Sequence, residues 1–237
     1  MDGAGTDTPS LVLCPGLLCD GRVFAPQIEA LGTRADCHVA DVAGHDSVSR
    51  IAAEVLAAAP PRFALLGFSM GGYVAFEILR QASARVTRLA LLDTSARPDT
   101  PEQTAQRQAL LRLAQIGQFK GVTPRLLPRL VHPSRIKDAT VTAPIMAMAD
   151  SIGHDGFLRQ QTAIMARPDS RPLLGSIVVP TLVLCGRDDQ LTPPALSEEI
   201  AAAVPAARLV LIDTCGHVAP LERPDAVNAA IEVWLFG

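Results

Sequence analysis

Residues 63–72 read Phe63-Ala-Leu-Leu-Gly67-Phe68-Ser69-Met70-Gly71-Gly72, and the stretch from Gly71 to Gln81 that follows has helical spacing. An apolar run, a glycine-rich turn and a helix in direct succession frame the pattern G-x-S-x-G. A turn that tight needs small residues two before and two after the serine, and it pushes the Ser69 hydroxyl clear of the strand. This predicts a nucleophile elbow rather than an ordinary glycine-rich turn.

Working outward, short apolar runs recur at Leu11–Pro15, Cys37–Asp41, Leu89–Asp93, Thr181–Cys185 and Arg208–Asp213. They are continuous rather than alternating, as in strands covered on both faces of a parallel sheet. Helical patterns at Ser47–Ala59, Gly71–Gln81, Pro194–Val204 and Pro224–Leu235 lie between or after them. Strand and helix in alternation predict an α/β doubly wound sheet.

The alternation breaks once. Between Ser95 and Ser176 there is no strand-like run, and helical segments are expected near 102–116, 122–131, 138–150 and 154–166. The expected organisation is a core of residues 1–95 and 176–237 with a helical cap, 96–175, inserted into it. The insertion holds 11 of the 21 basic residues and 6 of the 24 acidic ones, a net +5 against −8 for the remainder. Such asymmetry either steers an anionic substrate or marks a solvated, arginine-rich surface.

A serine hydroxyl needs a base within hydrogen-bond reach and a carboxylate to orient that base. Among five histidines, His38 lies in a strand and is expected to be packed, His45 belongs to a turn, and His132 and His154 fall in the insertion. His217 stands in a loop between the last strand and the last helix, where strand ends share an edge. For the acid, Cys185-Gly186-Arg187-Asp188-Asp189-Gln190-Leu191-Thr192-Pro193 offers two adjacent candidates, and Asp93 is a third with a more structural position.

Taken together, these pieces resemble a capped α/β-hydrolase-fold serine hydrolase of the group of small bacterial esterases. The matching segments are the elbow GFSMGG at 67–72, the turn DVAGHDS at 41–47, the acid loop PTLVLCGRDDQLTP at 180–193 and the histidine loop CGHVAPLERPDAV at 215–227. The family's acid-loop pattern G-x-x-D-x-x-x-P selects Asp189 over Asp188, and the order Ser69, Asp189, His217 is the family's own. The resemblance implies that the backbone amides of Leu17 and Met70 form an oxyanion hole. It also implies about six mostly parallel strands in the order 2-1-3-4-5-6, because too few residues precede Leu11 for an extra hairpin. One departure stands in Leu13-Cys14-Pro15-Gly16-Leu17-Leu18, where proline replaces the family's histidine before the glycine and leaves the loop's support unexplained.

The activity so implied is hydrolysis of a small carboxylic ester, thioester or lactone through an acyl-enzyme. Carbon–carbon bond hydrolysis or lyase chemistry on the same residues, or ligand binding with a vestigial triad, are the alternatives, since the fold hosts many activities. Leu18, Phe68, Met146 and Phe157, with Leu17, Met70, Met148 and Met165 nearby, are candidates to line an acyl pocket, although helical core is the commoner role for such methionines. No H-E-x-x-H, paired C-x-x-C, G-x-G-x-x-G or P-loop lysine occurs, so no metal or cofactor is expected.

A formal charge of −3 leaves no basic excess to attract a phosphate backbone, so nucleic acid is not an expected partner. The longest uncharged stretches fall short of the roughly 18 apolar residues a membrane span needs. The odd set of five cysteines suits a reducing compartment, and the opening MDGAGTDTPS has no basic flank or apolar core. The expectation is a cytoplasmic protein with a short frayed start, a monomer or homodimer acting on a small molecule.

Overall fold

The computed structural model describes residues 8–237; residues 1–7, on which most of the expected frayed start falls, lie outside the described residues. Six strands form one parallel sheet: β1 (Ser10–Cys14), β2 (Asp36–Val39), β3 (Phe63–Phe68), β4 (Val86–Leu92), β5 (Thr181–Gly186) and β6 (Ala207–Ile212), in the order β2-β1-β3-β4-β5-β6. The helices are α1 (Ala25–Leu31), α2 (Val48–Ala58), α3 (Met70–Ala82), α4 (Pro101–Leu113), α5 (Leu127–Leu130), α6 (Ala139–Met165), α7 (Arg171–Leu174), α8 (Pro194–Ala203), α9 (Ala219–Glu222) and α10 (Pro224–Phe236). Sheet order and strand positions agree with the sequence reading. The short α1, α7 and α9 lie outside the expected helices, because each carries too little apolar periodicity to stand out.

Successive strand residues point to opposite faces, and the core divides accordingly. Leu11, Leu13, Leu66, Phe68, Leu92, Leu182 and Leu184 pack with α1 and α10 through Leu31, Ile231 and Trp234, and with Phe24 in the turn before α1. Val12, Cys14, Leu65, Leu89, Leu91 and Val183 pack with α2, α3 and α8 through Ile51, Val74, Phe76, Ile78 and Ile200. β3 and β5 are buried along their whole length, which is why their sequences are continuous apolar runs. The edge strand β2 is not. His38, expected to be packed, is 39% exposed and meets the Asp36 carboxylate at 2.9 Å, because no further strand covers that edge.

Between β4 and β5 the chain is helical. The two helices expected at 138–150 and 154–166 are halves of α6, broken where Gly153 takes φ 68°, ψ −172°. The expected 102–116 helix is α4, whose start is closed by a reciprocal capping box between Thr100 and Gln103 and which runs into a wider turn at Ala114–Gln118. The helix expected at 122–131 shrinks to the single turn α5. Asp99, at the start of this segment, accepts from both Arg107 and Arg167, each at 2.7 Å, so the segment's two ends are joined. Among the described residues no helix is long and apolar enough to cross a membrane.

Candidate active site

Parallel pairing brings the C-terminal ends of β1, β3, β4 and β5 to one edge: Cys14 lies beside Gly67, Phe68 beside Leu92, and Leu92 beside Leu184. β1 is flanked by β2 and β3, so the strand order reverses there. In open α/β sheets such a switch point is where ligands settle.

Ser69 sits at this point, between the end of β3 and the start of α3, with φ 52° and ψ −115°. The conformation is unfavourable for an L-residue and persists only where its surroundings over-determine it. Ser69 N–H donates to Leu92 O at 2.9 Å, and the Thr94 hydroxyl donates to Ser69 O at 2.7 Å. The glycines leave no alternative: a Cβ on Gly67 would lie 2.4 Å from Gly71 O, and one on Gly71 would lie 1.9 Å from Cys14 O.

His217 and Ser69 are 148 residues apart in sequence, yet His217 Nε2 lies 2.8 Å from Ser69 Oγ. On the other side of the ring, Nδ1 lies 2.8 Å from Asp189 Oδ2. The carboxylate acceptor fixes the Nδ1–H tautomer, so the Nε2 lone pair faces the serine hydroxyl. Both residues are buried, and the His217 ring rests on Phe68 with centroids 5.5 Å apart. Asp189 Oδ1 accepts from the amides of Leu191 and Thr192 at 2.8 and 3.0 Å, and Oδ2 accepts the Thr192 hydroxyl at 2.7 Å. Burial by itself would raise the Asp189 acid, but His217 and the Thr192 donors hold it below its ordinary value.

Asp188, the adjacent candidate, points away, half-exposed and 3.8 Å from His132 Nε2. Asp93 is fully buried: Oδ1 accepts Gly186 N–H at 2.8 Å while Oδ2 has no partner among the described residues. Burial, reinforced by the nearby Asp189 charge, raises its acid well above the ordinary value. His45 pairs with Glu54 and His154 with Asp155 and Ala114 O, all away from the serine. The Cys14 thiol is pushed up to about 12 by burial, and Cys185 and Cys215 are raised for the same reason, so these cysteines are inert hydrophobes rather than nucleophiles.

Of the two residues whose amides are expected to bind an oxyanion, Met70 directly follows the serine and Leu17 lies in the turn after β1. Met70 is the first residue of α3, where N–H groups have no intrahelical acceptor. Leu17 lies in the turn Gly16–Cys19, closed by Cys19 N–H to Gly16 O at 3.1 Å. Gly16 puts that turn against the elbow, since a Cβ there would be 3.2 Å from Ser69 Cβ.

Of the expected pocket residues, Leu18 and Phe157 pack in one cluster with Ala114 and Ala149, and Leu17 and Phe119 lean on it. Met146 and Met165 are part-exposed, Met148 is fully buried in the main core, and Phe68 is 1% exposed beneath His217. Two further residues shape the site without having been singled out in the sequence. Thr192 holds Asp189, and Glu222 accepts the amides of Gly216 and Val218, on either side of His217, each at 3.2 Å. The only sequence signal for Glu222 is a charge at the end of the apolar run Val218-Ala-Pro-Leu221.

Residues 9–224 match the family model described as alpha/beta hydrolase fold. The chain belongs to the α/β-hydrolase fold family. It is an esterase-like serine hydrolase of that family. It is 26% identical over 242 residues to the pimeloyl-[acyl-carrier protein] methyl ester esterase of Xanthomonas campestris, covering 94% of this chain and 93% of that protein. Among solved structures, a thermophilic esterase from Thermogutta terrifontis superposes with TM-score 0.84 at 30% identity, over 96% of this chain and 89% of that one. The enol-lactonase from Burkholderia xenovorans LB400 superposes with TM-score 0.85 at 27% identity, over 98% and 92%.

Proposed function

We propose that this hydrolase cleaves a small carboxylic ester, thioester or lactone through an acyl-enzyme on Ser69. The observation that carries the reading is the placement of His217 between Ser69 Oγ and Asp189 Oδ2, at 2.8 Å from each. Ser69 Oγ attacks the carbonyl carbon while His217 Nε2 takes the hydroxyl proton. Asp189 stabilises the imidazolium through Nδ1–H, and the N–H groups of Leu17 and Met70 receive the carbonyl oxygen as it becomes an oxyanion. The positive end of α3 favours that charge. Collapse of the tetrahedral intermediate breaks the bond to the leaving group, which takes the proton from Nε2. Water then gives a proton to the same nitrogen as it attacks the acyl carbon, and the acid leaves when the bond to Ser69 Oγ breaks and that oxygen takes the proton back from Nε2.

In this reading residues 96–175 form the cap, and the cluster of Leu17, Leu18, Ala149 and Phe157 forms one apolar wall of the acyl site. The relatives named for a methyl ester and for an enol-lactone support an oxygen ester over a carbon–carbon bond as the substrate class. Five unpaired cysteines support a cytoplasmic, reducing setting.

Labelling with a fluorophosphonate, read by intact mass and peptide mapping, tests the proposal. Rapid single modification at Ser69 that is lost in His217→Ala is the expected result. An unlabelled, well-folded parent that is also inert toward a panel of esters, thioesters and lactones overturns it.

A further inference from the structure

Gln160, in the second half of α6, is fully buried and spends both ends of its amide on backbone of the core. Oε1 accepts Leu18 N–H at 2.9 Å, and Nε2 reaches Val42 O at 3.5 Å. Its neighbour Arg159 donates to Ala43 O at 2.7 Å. One turn of the inserted segment therefore grips the loops that follow both β1 and β2.

The grip matters most at Leu18. It is the third residue of the Gly16–Cys19 turn and holds φ 58°, left-handed backbone that a leucine seldom adopts. Leu18 leaves that conformation only if the Leu17–Leu18 peptide rotates, which turns Leu17 about its own Cα–C bond and disturbs the residue assigned to the hole, so the strain persists only where that peptide is held. Cys19 Sγ approaches Leu17 O at 3.5 Å on one side, and Gln160 accepts the N–H on the other. Pro15, next to the turn, has no N–H to donate and no polar side chain, so the loop cannot brace itself from that position.

We infer that Gln160 is the positioning residue for the oxyanion hole: by accepting the Leu18 amide it locks the turn that aims Leu17 N–H, and so ties hole formation to the seating of the inserted segment. This rests on the reaction proposed above, in which Leu17 N–H meets the oxyanion. A Gln160 without that role would merely satisfy buried backbone, and its loss would cost stability without touching the transition state.

The test compares the parent with Gln160→Met, which keeps length and volume but has no strong acceptor, and with Gln160→Glu, which keeps an oxygen opposite the Leu18 amide. With p-nitrophenyl butyrate, Gln160→Met is expected to lower kcat by about 10- to 100-fold with KM within about threefold. Affinity for phenylboronic acid, whose boron takes Ser69 Oγ as a fourth ligand and presents an oxygen to the hole, should fall by the same factor. The pH–rate profile should keep its shape, because no side chain that touches Ser69 is changed, and Gln160→Glu should recover most of the boronate affinity. Parent-like kcat and boronate affinity in Gln160→Met, or equal losses in both variants, overturn the inference. Should Gln160→Met fail to fold, Gln160→Glu decides alone: boronate affinity within about fivefold of the parent supports the assignment, and a larger loss overturns it. An inert parent would instead sink the reaction itself, so the two failures are distinguishable.

Discussion

The Glu222 carboxylate accepts the backbone N–H of His132 at 2.7 Å across 90 residues of chain. Because the same carboxylate takes the amides of Gly216 and Val218, and His217 N–H donates to Leu130 O at 2.9 Å, the histidine loop and the inserted segment form one hydrogen-bonded unit. Burial raises the Glu222 acid, while the three amide donors pull the other way. The backbone on both sides of His217 is therefore held by hydrogen bonds to one buried carboxyl group, not by packing alone.

Glu222→Gln must turn an NH₂ toward at least one of these donors. Leaving a buried amide without an acceptor costs about 1–3 kcal/mol. A displacement of the imidazole by about 1 Å costs about 10² in kcat. Urea denaturation together with steady-state kinetics checks both, and parent-like values in each would show that the carboxylate does not hold the loop.

Asp189 and Asp188 separate cleanly by substitution. Asp189→Asn keeps the shape but loses the anion beside His217 Nδ1, and kcat should fall by about 10⁴. Asp188→Asn, at a half-exposed side chain, should stay within about twofold of the parent. Rates measured on the same ester, with circular dichroism to confirm folding, decide between the two carboxylates.

Asp93 makes stability depend on pH. Its acid is raised above the ordinary value of 3.8, so the folded protein holds a proton that the unfolded chain has lost. In that window the folded state binds more protons, and stability falls as pH rises through the raised value. Asp93→Asn removes the linkage and should flatten the decline. Thermal melts of both proteins at stepped pH test this, and parallel curves would show Asp93 to be ionised at no cost.

Gly71 and Gly175 form a matched pair. A Cβ on Gly71 would strike the carbonyls of Cys14 and Pro15, backbone atoms that cannot move aside, so Gly71→Ala should destabilise by about 3 kcal/mol and abolish labelling of Ser69. Gly175 has ordinary helical dihedrals and no atom within 4 Å of its would-be Cβ, so Gly175→Ala should gain about 0.4–1 kcal/mol. Chemical-denaturation midpoints of the two variants make the comparison.

What the amino-acid sequence determined on its own is whatever acts over short chain distances. Continuous apolar runs declare buried parallel strands, and Gly67 and Gly71 around Ser69 declare a turn too tight for side chains. A histidine and a carboxylate in loops at strand ends offer candidates for a base and an acid. The resemblance of the acid loop to a known family then told Asp189 from Asp188, a choice for which adjacent residues offer no local physical reason. The tertiary structure decided what depends on contacts between distant segments. His38 is half-exposed because β2 is an edge. Asp93 is walled in by the strand ends around Gly186. Gln160 carries no local signature and Glu222 only the faint one of a charge ending an apolar run, since an interior glutamate or glutamine looks like a surface one until the fold brings backbone donors to it. The bonds that cross between distant segments, His132 N–H to Glu222 and Leu18 N–H to Gln160, exist only because the fold seats the helical stretch between β4 and β5 on the histidine loop and on the turn after β1.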